Sequence, residues 1–437
     1  MMRKSRQEEE EEKKTEEEST IESISFSSTD KNMFGLNKKT FVMYMTHFNI
    51  VLYALCYWIQ IGVLPYLTRK LGVDTQTFGI LQSTFAFVQL CGGPVYGRFG
   101  DLFGGKYSLI LAFFACFTSY GLLAVAASIP VLFLSRLPSI AMHCMQGSQM
   151  VLTDITSDNE RASAIGRLGV SYGVGMVIGP LMGGFITDRF SEQTAAATAA
   201  FGSIVSIVLV VLFIPANTKL IKEVDEKTEI KVASGAVFDF KKYSSIFAAP
   251  NFLYVFMIKV ISAVPIGILQ AMFSVVAMDF FHLDAKGNGL VLSYVGIMGM
   301  LVQGFIVGFL TKRYSDNVLI NYSIILLTAS YFIMVFVNSI TSFLIVLVPL
   351  TVAGAILSVI ITSVVTKTVP GEDTGAALGL LMATHSLIRT VSPTIGGFLY
   401  GYLGFPVFGV VGALVNGGLA FYLFNYGKDT IMKKGDS

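Results

Sequence analysis

From Phe41 onward the chain is a succession of apolar runs, each long enough to cross about 30 Å of hydrocarbon as a helix, set apart by short polar connections. They fall at roughly 41–67, 77–98, 106–127, 130–153, 162–188, 194–215, 251–280, 287–311, 317–338, 341–366, 374–402 and 405–427. Twelve such runs point to an all-α membrane protein with twelve transmembrane helices. A backbone in hydrocarbon must bond to itself, and a helix does so within one segment. Charge content agrees, at 14% of residues against about 25% in soluble domains. That excludes a soluble enzyme and a disordered chain. A net charge of +2 gives no polyelectrolyte footprint, so no nucleic-acid partner is expected.

Residues 1–40 carry the acidic runs Glu8 to Glu12 and Glu16 to Glu18, followed by a Ser-rich stretch. So little apolar surface cannot offset the entropy of ordering, which predicts a disordered acidic tail. The longest connection, 216–250, is charged and divides the runs six and six. The expected organisation is an N-terminal six-helix half at 41–215, a charged linker at 216–250, a C-terminal six-helix half at 251–427 and a tail at 428–437. The first apolar run begins only at Phe41, so no cleaved signal is expected. Cys56, Cys91, Cys116 and Cys144 lie inside apolar runs and read as small buried hydrophobes, not a disulfide framework.

Lysine and arginine gather on alternate connections. Arg98, Lys106, Arg161, Lys312, Arg313 and Lys367 fall on the same side as the bases of the linker and both tails, whereas the other side holds Arg69, Lys70, Arg189 and Lys286. Bases are held back on the cytoplasmic side. Both termini are therefore expected there, in a plasma membrane or an endoplasmic-reticulum-type organelle membrane. An internal repeat supports the division into halves: residues 160–166 compare with 373–379, and 180–184 with 393–397, at a shared offset of 213 residues. It places the fifth run on the eleventh. Parallel halves around a central cavity are a transporter plan.

After the second run comes Gly97-Arg98-Phe99-Gly100-Asp101-Leu102-Phe103-Gly104-Gly105-Lys106. It resembles the loop signature of the major facilitator superfamily, matching at Gly97, Asp101, Gly104 and Lys106 and departing at Leu102 and Gly105, where that family usually has a base. The resemblance implies a cytoplasmic gate. A carboxylate at Asp101 can sit against the N-terminal dipole of the eleventh helix near Thr374 and latch an outward-facing state, or it can simply mark a cytoplasmic turn. In the fifth run, Gly166, Gly175, Gly179, Pro180, Gly183 and Gly184 match in full the signature associated with antiporters of that superfamily. Glycines four apart also let two helix backbones approach closely, so ordinary packing accounts for part of the pattern. Across 41–427, stretches such as 63–67, 135–138, 149–154, 278–281 and 387–390 resemble the organic-cation-transporter-like members of solute carrier family 22 and, through them, bacterial tetracycline/proton antiporters. That resemblance implies exchange of organic cations or drug-like amines for protons by alternating access. A monomer in a lipid bilayer, without a cofactor, is expected.

Ionisable groups inside hydrocarbon are costly and mark function by default. Arg136, Lys259 and Arg389 lie mid-run, with Arg167 nearer the cytoplasm. His143 follows Arg136 by seven residues, which on an unbroken helix is two turns along one face, and Gln146 and Met150 continue that stripe towards Asp154. His385 precedes Arg389 by one turn. A histidine at such depth can change charge near neutral pH, making His143 the first candidate proton carrier, although a neutral packing histidine fits as well. Tetracycline antiporters place a carboxylate twelve residues before the proline matching Pro65, where this chain has Tyr53. The only acid in the outer membrane zone is Asp279. Read from residues alone, the cavity favours an anionic or zwitterionic ligand held by the three bases; read from the resemblance, it favours a cation. Tyr44, Tyr53, Tyr57, Trp58 and Gln60 suit a cavity lining for flat ligands, and Tyr66 suits an outer interfacial anchor. A non-transporting scaffold or lipid-contact protein that keeps the fold is the rival of another class. No nucleophile with a paired base and no metal-ligand cluster stands out, so neither enzyme chemistry nor a metal site is expected.

Overall fold

The computed structural model describes residues 37–218, 246–247, 251–369 and 374–426. The acidic tail, most of the 216–250 linker and the C-terminal tail lie outside the described residues. The first half comprises α1 (Lys38–Lys70), α2 (Thr75–Phe103), α3 (Gly105–Ala124), α4 (Ile129–Leu134), α5 (Cys144–Ile155), α6 (Asp158–Arg189) and α7 (Glu192–Phe213). The second comprises α8 (Phe252–Asp279), α9 (Ala285–Leu301), α10 (Val307–Thr311), α11 (Asp316–Met334), α12 (Ile340–Thr368), α13 (Thr374–Leu403) and α14 (Pro406–Tyr426). Ten of the described helical stretches are long and apolar enough to cross a membrane singly, α9 and α10 together forming one of them. At the two other expected positions stand α13, 30 residues long, and a fourth segment shared between α4 and α5, which is consistent with twelve.

That fourth segment corrects an expectation. The run at 130–153 is not one helix: a 3-10 turn, Leu137–Ala141, separates α4 from α5. Pro138 supplies no backbone N–H to an α-helical ladder. In addition, the α2 backbone presses so closely on the turn that a Cβ at Gly92 would overlap the Ile140 carbonyl. Side chains compensate for the broken ladder, with Gln89 donating to the Met142 carbonyl at 2.9 Å and Ser139 donating to the Phe85 carbonyl at 3.1 Å. Arg136 and His143 therefore sit on either side of a break, and the stripe from Arg136 to Asp154 does not exist as one helix face.

On the face opposite the termini, polar caps satisfy the helix-start N–H groups that hydrocarbon would leave orphaned. Asp74 accepts from Thr77 N (2.8 Å) at α2, Asp284 from Gly287 N (2.7 Å) at α9, and Ser339 and Ser342 cap α12 reciprocally. Within the first half α1 packs on α6 and α7, and α3 on α7; within the second α11 packs on α12 and α14, and α8 on α13. The halves meet chiefly through two pairs, α2 with α13 and α6 with α9, with α1 adding smaller contacts to α8 and α9.

These cross-half contacts are graded along the membrane normal. Near the opposite face a Cβ at Gly184 would stand 2.7 Å from the Ala285 carbonyl oxygen and one at Gly397 2.8 Å from that of Thr75, while Gly79 and Gly289 would overlap the Pro393 and Pro180 carbonyls. Deeper, Gly296 faces Val177 at 3.1 Å. Towards the terminal face, nothing lies within 4 Å of the Cβ positions of Gly166, Gly169, Gly299 or Gly379. The two halves thus pinch together at one face and part at the other, leaving a cleft open on the side of the termini.

Candidate functional site

At the closed end of that cleft the first half contributes rings and the second contributes charge. Tyr57 of α1 neighbours Tyr53 (6.0 Å between centroids), Trp58 (6.0 Å) and Phe85 of α2 (6.4 Å), and Tyr53 neighbours Tyr172 of α6 (6.3 Å). Arg389 of α13 reaches across from the other half. Its Nη2 donates to the Tyr57 hydroxyl at 2.8 Å, and its guanidinium lies 5.9 Å from the Phe85 centroid. Arg136 stands 5.9 Å from the same centroid. One phenyl ring therefore serves two guanidinium groups, a cation–π arrangement that gains strength where water is scarce.

The two arginines differ in access. Arg389 is exposed to the cleft although it lies mid-helix, so a ligand entering from the open face can reach it. Arg136 is 1% exposed, and its Nε and Nη2 have no hydrogen-bond partner. Lys259 of α8 donates to Ser358 Oγ of α12 at 2.8 Å. His385 is exposed to the cleft one turn before Arg389, within electrostatic reach of both Arg389 and Lys259. Half-buried His143 lies against Tyr96, the rings tilted at 36° with centroids 5.1 Å apart, with its Nε2 unpartnered, and it too lies within reach of Arg389. Gln146, a turn into α5, faces Gly97, whose Cβ position is 3.3 Å from its Nε2. Gln60 is buried on α1 with its Nε2 unpartnered. Every acid among the described residues lies in a connection or within three residues of a helix end, so the centre holds bases without a carboxylate.

Asp279 belongs elsewhere. It ion-pairs with Arg69 across the halves at the closed face, part of a polar closure rather than the cleft lining. In the same layer the Tyr66 hydroxyl donates to the carbonyls of Leu283 (2.8 Å) and Asp284 (3.0 Å), and Asn288 donates to the Gly62 carbonyl (2.9 Å). Ser83 Oγ accepts from Thr394 N (3.1 Å) and lies 2.7 Å from its hydroxyl. Tyr66, expected as an outer interfacial anchor, is thus bonded across the halves.

The glycine motif of α6 works in two directions. Gly175, Gly179 and Gly183 seat α6 on α1 within the half, with Cβ positions 2.5 Å from Leu55 N, 2.7 Å from Leu55 O and 3.0 Å from Ile59 O. Pro180 and Gly184 face α9 of the other half, while Gly166 meets nothing. In the α2–α3 turn, Gly104 has φ +84, a conformation that favours glycine, and Gly105 abuts Val151 at 2.6 Å. Lys106 donates to the Val211 carbonyl at 2.9 Å. Asp101 is exposed and makes no hydrogen bond or ion pair among the described residues. Phe85, Ser83 and Arg69 are neighbours of the candidate site that the sequence alone does not mark. Arg69 counted only as a loop base, because its partner lies 210 residues away.

A family model described as Major Facilitator Superfamily matches residues 46–357. The chain belongs to the Major Facilitator Superfamily. Among curated relatives, human solute carrier family 67 member A1 is 38% identical over 366 residues, covering 83% of this chain and 86% of that protein. Mouse solute carrier family 22 member 18 is 37% identical over 381 residues, covering 86% and 93%. In fold, a crystal structure of a mutant of the peptide transporter POT superposes with a TM-score of 0.71 at 15% identity, over 92% of this chain and 98% of that one. This superfamily member is a multi-pass membrane transporter of solutes and not an enzyme.

Proposed function

We propose that this carrier moves a small organic anion by alternating access, with its termini in the cytoplasm and the described conformation open towards it. The observation that carries the reading is Arg389: a guanidinium at mid-membrane, exposed to the cleft, whose one hydrogen-bond partner among the described residues is the neutral hydroxyl of Tyr57. A carboxylate offers a guanidinium two parallel charge-assisted bonds, about twice as strong as neutral ones. An entering anion would therefore displace Tyr57 as the partner of Arg389 and remove one link between the halves. The rings of Tyr53, Tyr57 and Phe85 would hold its apolar body. The closed layer of Tyr66, Arg69 and Asp279 would then part while the terminal face closes, with Asp101 engaging α13 in the outward-facing state. Protons are the proposed exchanged ion and His143, with its unpartnered Nε2, the proposed carrier. The carrier acts as a monomer, in the plasma membrane or an endoplasmic-reticulum-type membrane.

The reading implied by the resemblance, export of organic cations or drug-like amines in exchange for protons, is favoured by the same rings, which attract flat cations. Against it, the Phe85 face already serves two guanidinium groups and no acid among the described residues lies at that depth. Purified carrier in liposomes loaded with a pH dye, given a panel of organic anions and cations, separates the two. Anion-driven proton flux lost in His143→Ala supports the proposal. Cation-driven flux reverses its sign, and silence across both panels in folded protein removes it.

A further inference from the structure

Beside the basic centre, the second half contains a cavity of about 500 Å³ bounded by α12, the start of α13 and the segment joining α9 to α10. That volume is of the size that holds small ligands. The joining segment, Val302–Ile306, is a π turn. Such a turn widens a helix and recurs at functional sites; here it brings exposed Gln303 to the cavity wall. The opposite wall is one face of α12, with Ser358, Thr362 and Thr366 at successive turns.

The hydroxyls are not equivalent as hydrogen-bonding groups. Thr362 Oγ1 donates to the Ser358 carbonyl at 2.8 Å and Thr366 Oγ1 to the Ser363 carbonyl at 2.7 Å. With their hydrogens committed to the helix, both oxygens meet the cavity as acceptors. Ser358 Oγ instead accepts from Lys259 Nζ, which leaves its own hydrogen and two ammonium hydrogens of Lys259 to donate. The cavity is therefore polarised along α12. The Ser358–Lys259 end donates and carries positive charge, and the row of Thr362 and Thr366 accepts. No carboxylate among the described residues lines it, so an ammonium group would meet acceptors there but no countercharge and would face Lys259. Neutral hydroxyls meet the same acceptors at no electrostatic cost.

We propose that this face of α12 is a second substrate subsite that selects polyhydroxylated organic acids, the carboxylate lying on the basic side formed by Arg389, Lys259 and Ser358 and the hydroxyls donating to Thr362 and Thr366. The inference rests on the anion reading and narrows it. Nothing in the sequence spacing alone marks these residues, because hydroxyls bonded to their own helix are common in membrane spans.

The test uses two ring carboxylates that differ in hydroxylation, quinate and cyclohexanecarboxylate, on the full chain in detergent and in liposomes. Binding is read from the ligand-dependent shift in thermal unfolding and transport from counterflow. Thr362→Val and Thr366→Val remove each acceptor at nearly constant volume, and the unfolding midpoint without ligand reports whether they fold. Expected is at least tenfold tighter binding of quinate than of cyclohexanecarboxylate, with the double variant losing that preference while its affinity for cyclohexanecarboxylate stays within twofold. Equal binding of the two acids, or an equal loss of both in the variant, overturns the subsite and leaves the anion reading standing. If neither acid gives a saturable shift or counterflow, both fall together.

Discussion

Arg389 concentrates what single residues decide here. Its removal should abolish saturable anion binding, and Arg389→Lys should restore little, since an ammonium cannot present the guanidinium fork; counterflow of a labelled carboxylate measures both. Tyr57→Phe should keep binding, because it removes only a competitor for the guanidinium, but should change the rate of exchange between conformations by breaking a cross-half link. At the membrane surface, Thr77 holds the Asp74 carboxyl below the usual carboxylate range through its hydroxyl and its N–H. A depressed value means stabilisation that is present above about pH 4 and lost as pH falls through the folded-state value. Asp74→Ala should accordingly cost about 1 kcal/mol near neutral pH, with the difference from the parent shrinking in acid, as thermal unfolding across a pH series would record. At this scale the sequence was informative about charge and silent about partners. Arg136, Lys259 and Arg389 stand out as bases in apolar runs, whereas Phe85 looks like any core phenylalanine until two guanidinium groups are seen over its ring.

Helices carry the conformational argument. The contact of α6 with α9 tightens from open space beyond Gly166 to backbone contact at Gly184 and Gly289. Gly289→Leu would drive a side chain into the Pro180 carbonyl, and overpacking of this kind costs about 1–3 kcal/mol, enough to disfavour the described conformation roughly fivefold to a hundredfold. Spin labels placed on the outer ends of α1 and α8 should then report a longer distance, in protein that still folds. Element positions were legible from the apolar runs because hydrocarbon thickness dictates helix length. The break in the fourth run was not, since Pro138 alone is compatible with a kinked but continuous helix. What forces the break is the close approach of α2 at Gly92, a tertiary contact that no local pattern announces.

For the whole molecule, two kinds of bond hold the closed face, and their magnitudes separate them. The Arg69–Asp279 pair leaves its side chains 47% and 26% exposed, and exposed pairs contribute about 0–1 kcal/mol. Asp279→Asn should therefore shift the conformational balance by less than about fivefold, well short of Gly289→Leu, in the same label measurement. The all-helical membrane fold was readable from hydropathy, and the 213-residue repeat is the sequence's argument for two halves. Which face is closed was not, because the sequence is the same in every conformation.

The central bases have a further, electrical consequence. A charge that traverses a membrane potential exchanges about 2.3 kcal/mol per 100 mV. Arg136, Arg389 and Lys259 sit where that field falls, with no acid at their depth among the described residues. As the halves rock, the low-resistance opening passes from one face to the other, and these fixed charges change their electrical distance to each solution without moving far. An empty carrier would cross the field positively charged, and one holding an anion would cross it closer to neutral. Voltage should thus act most strongly on the empty return step, so that net transport bends with potential more steeply than exchange of anion for anion does.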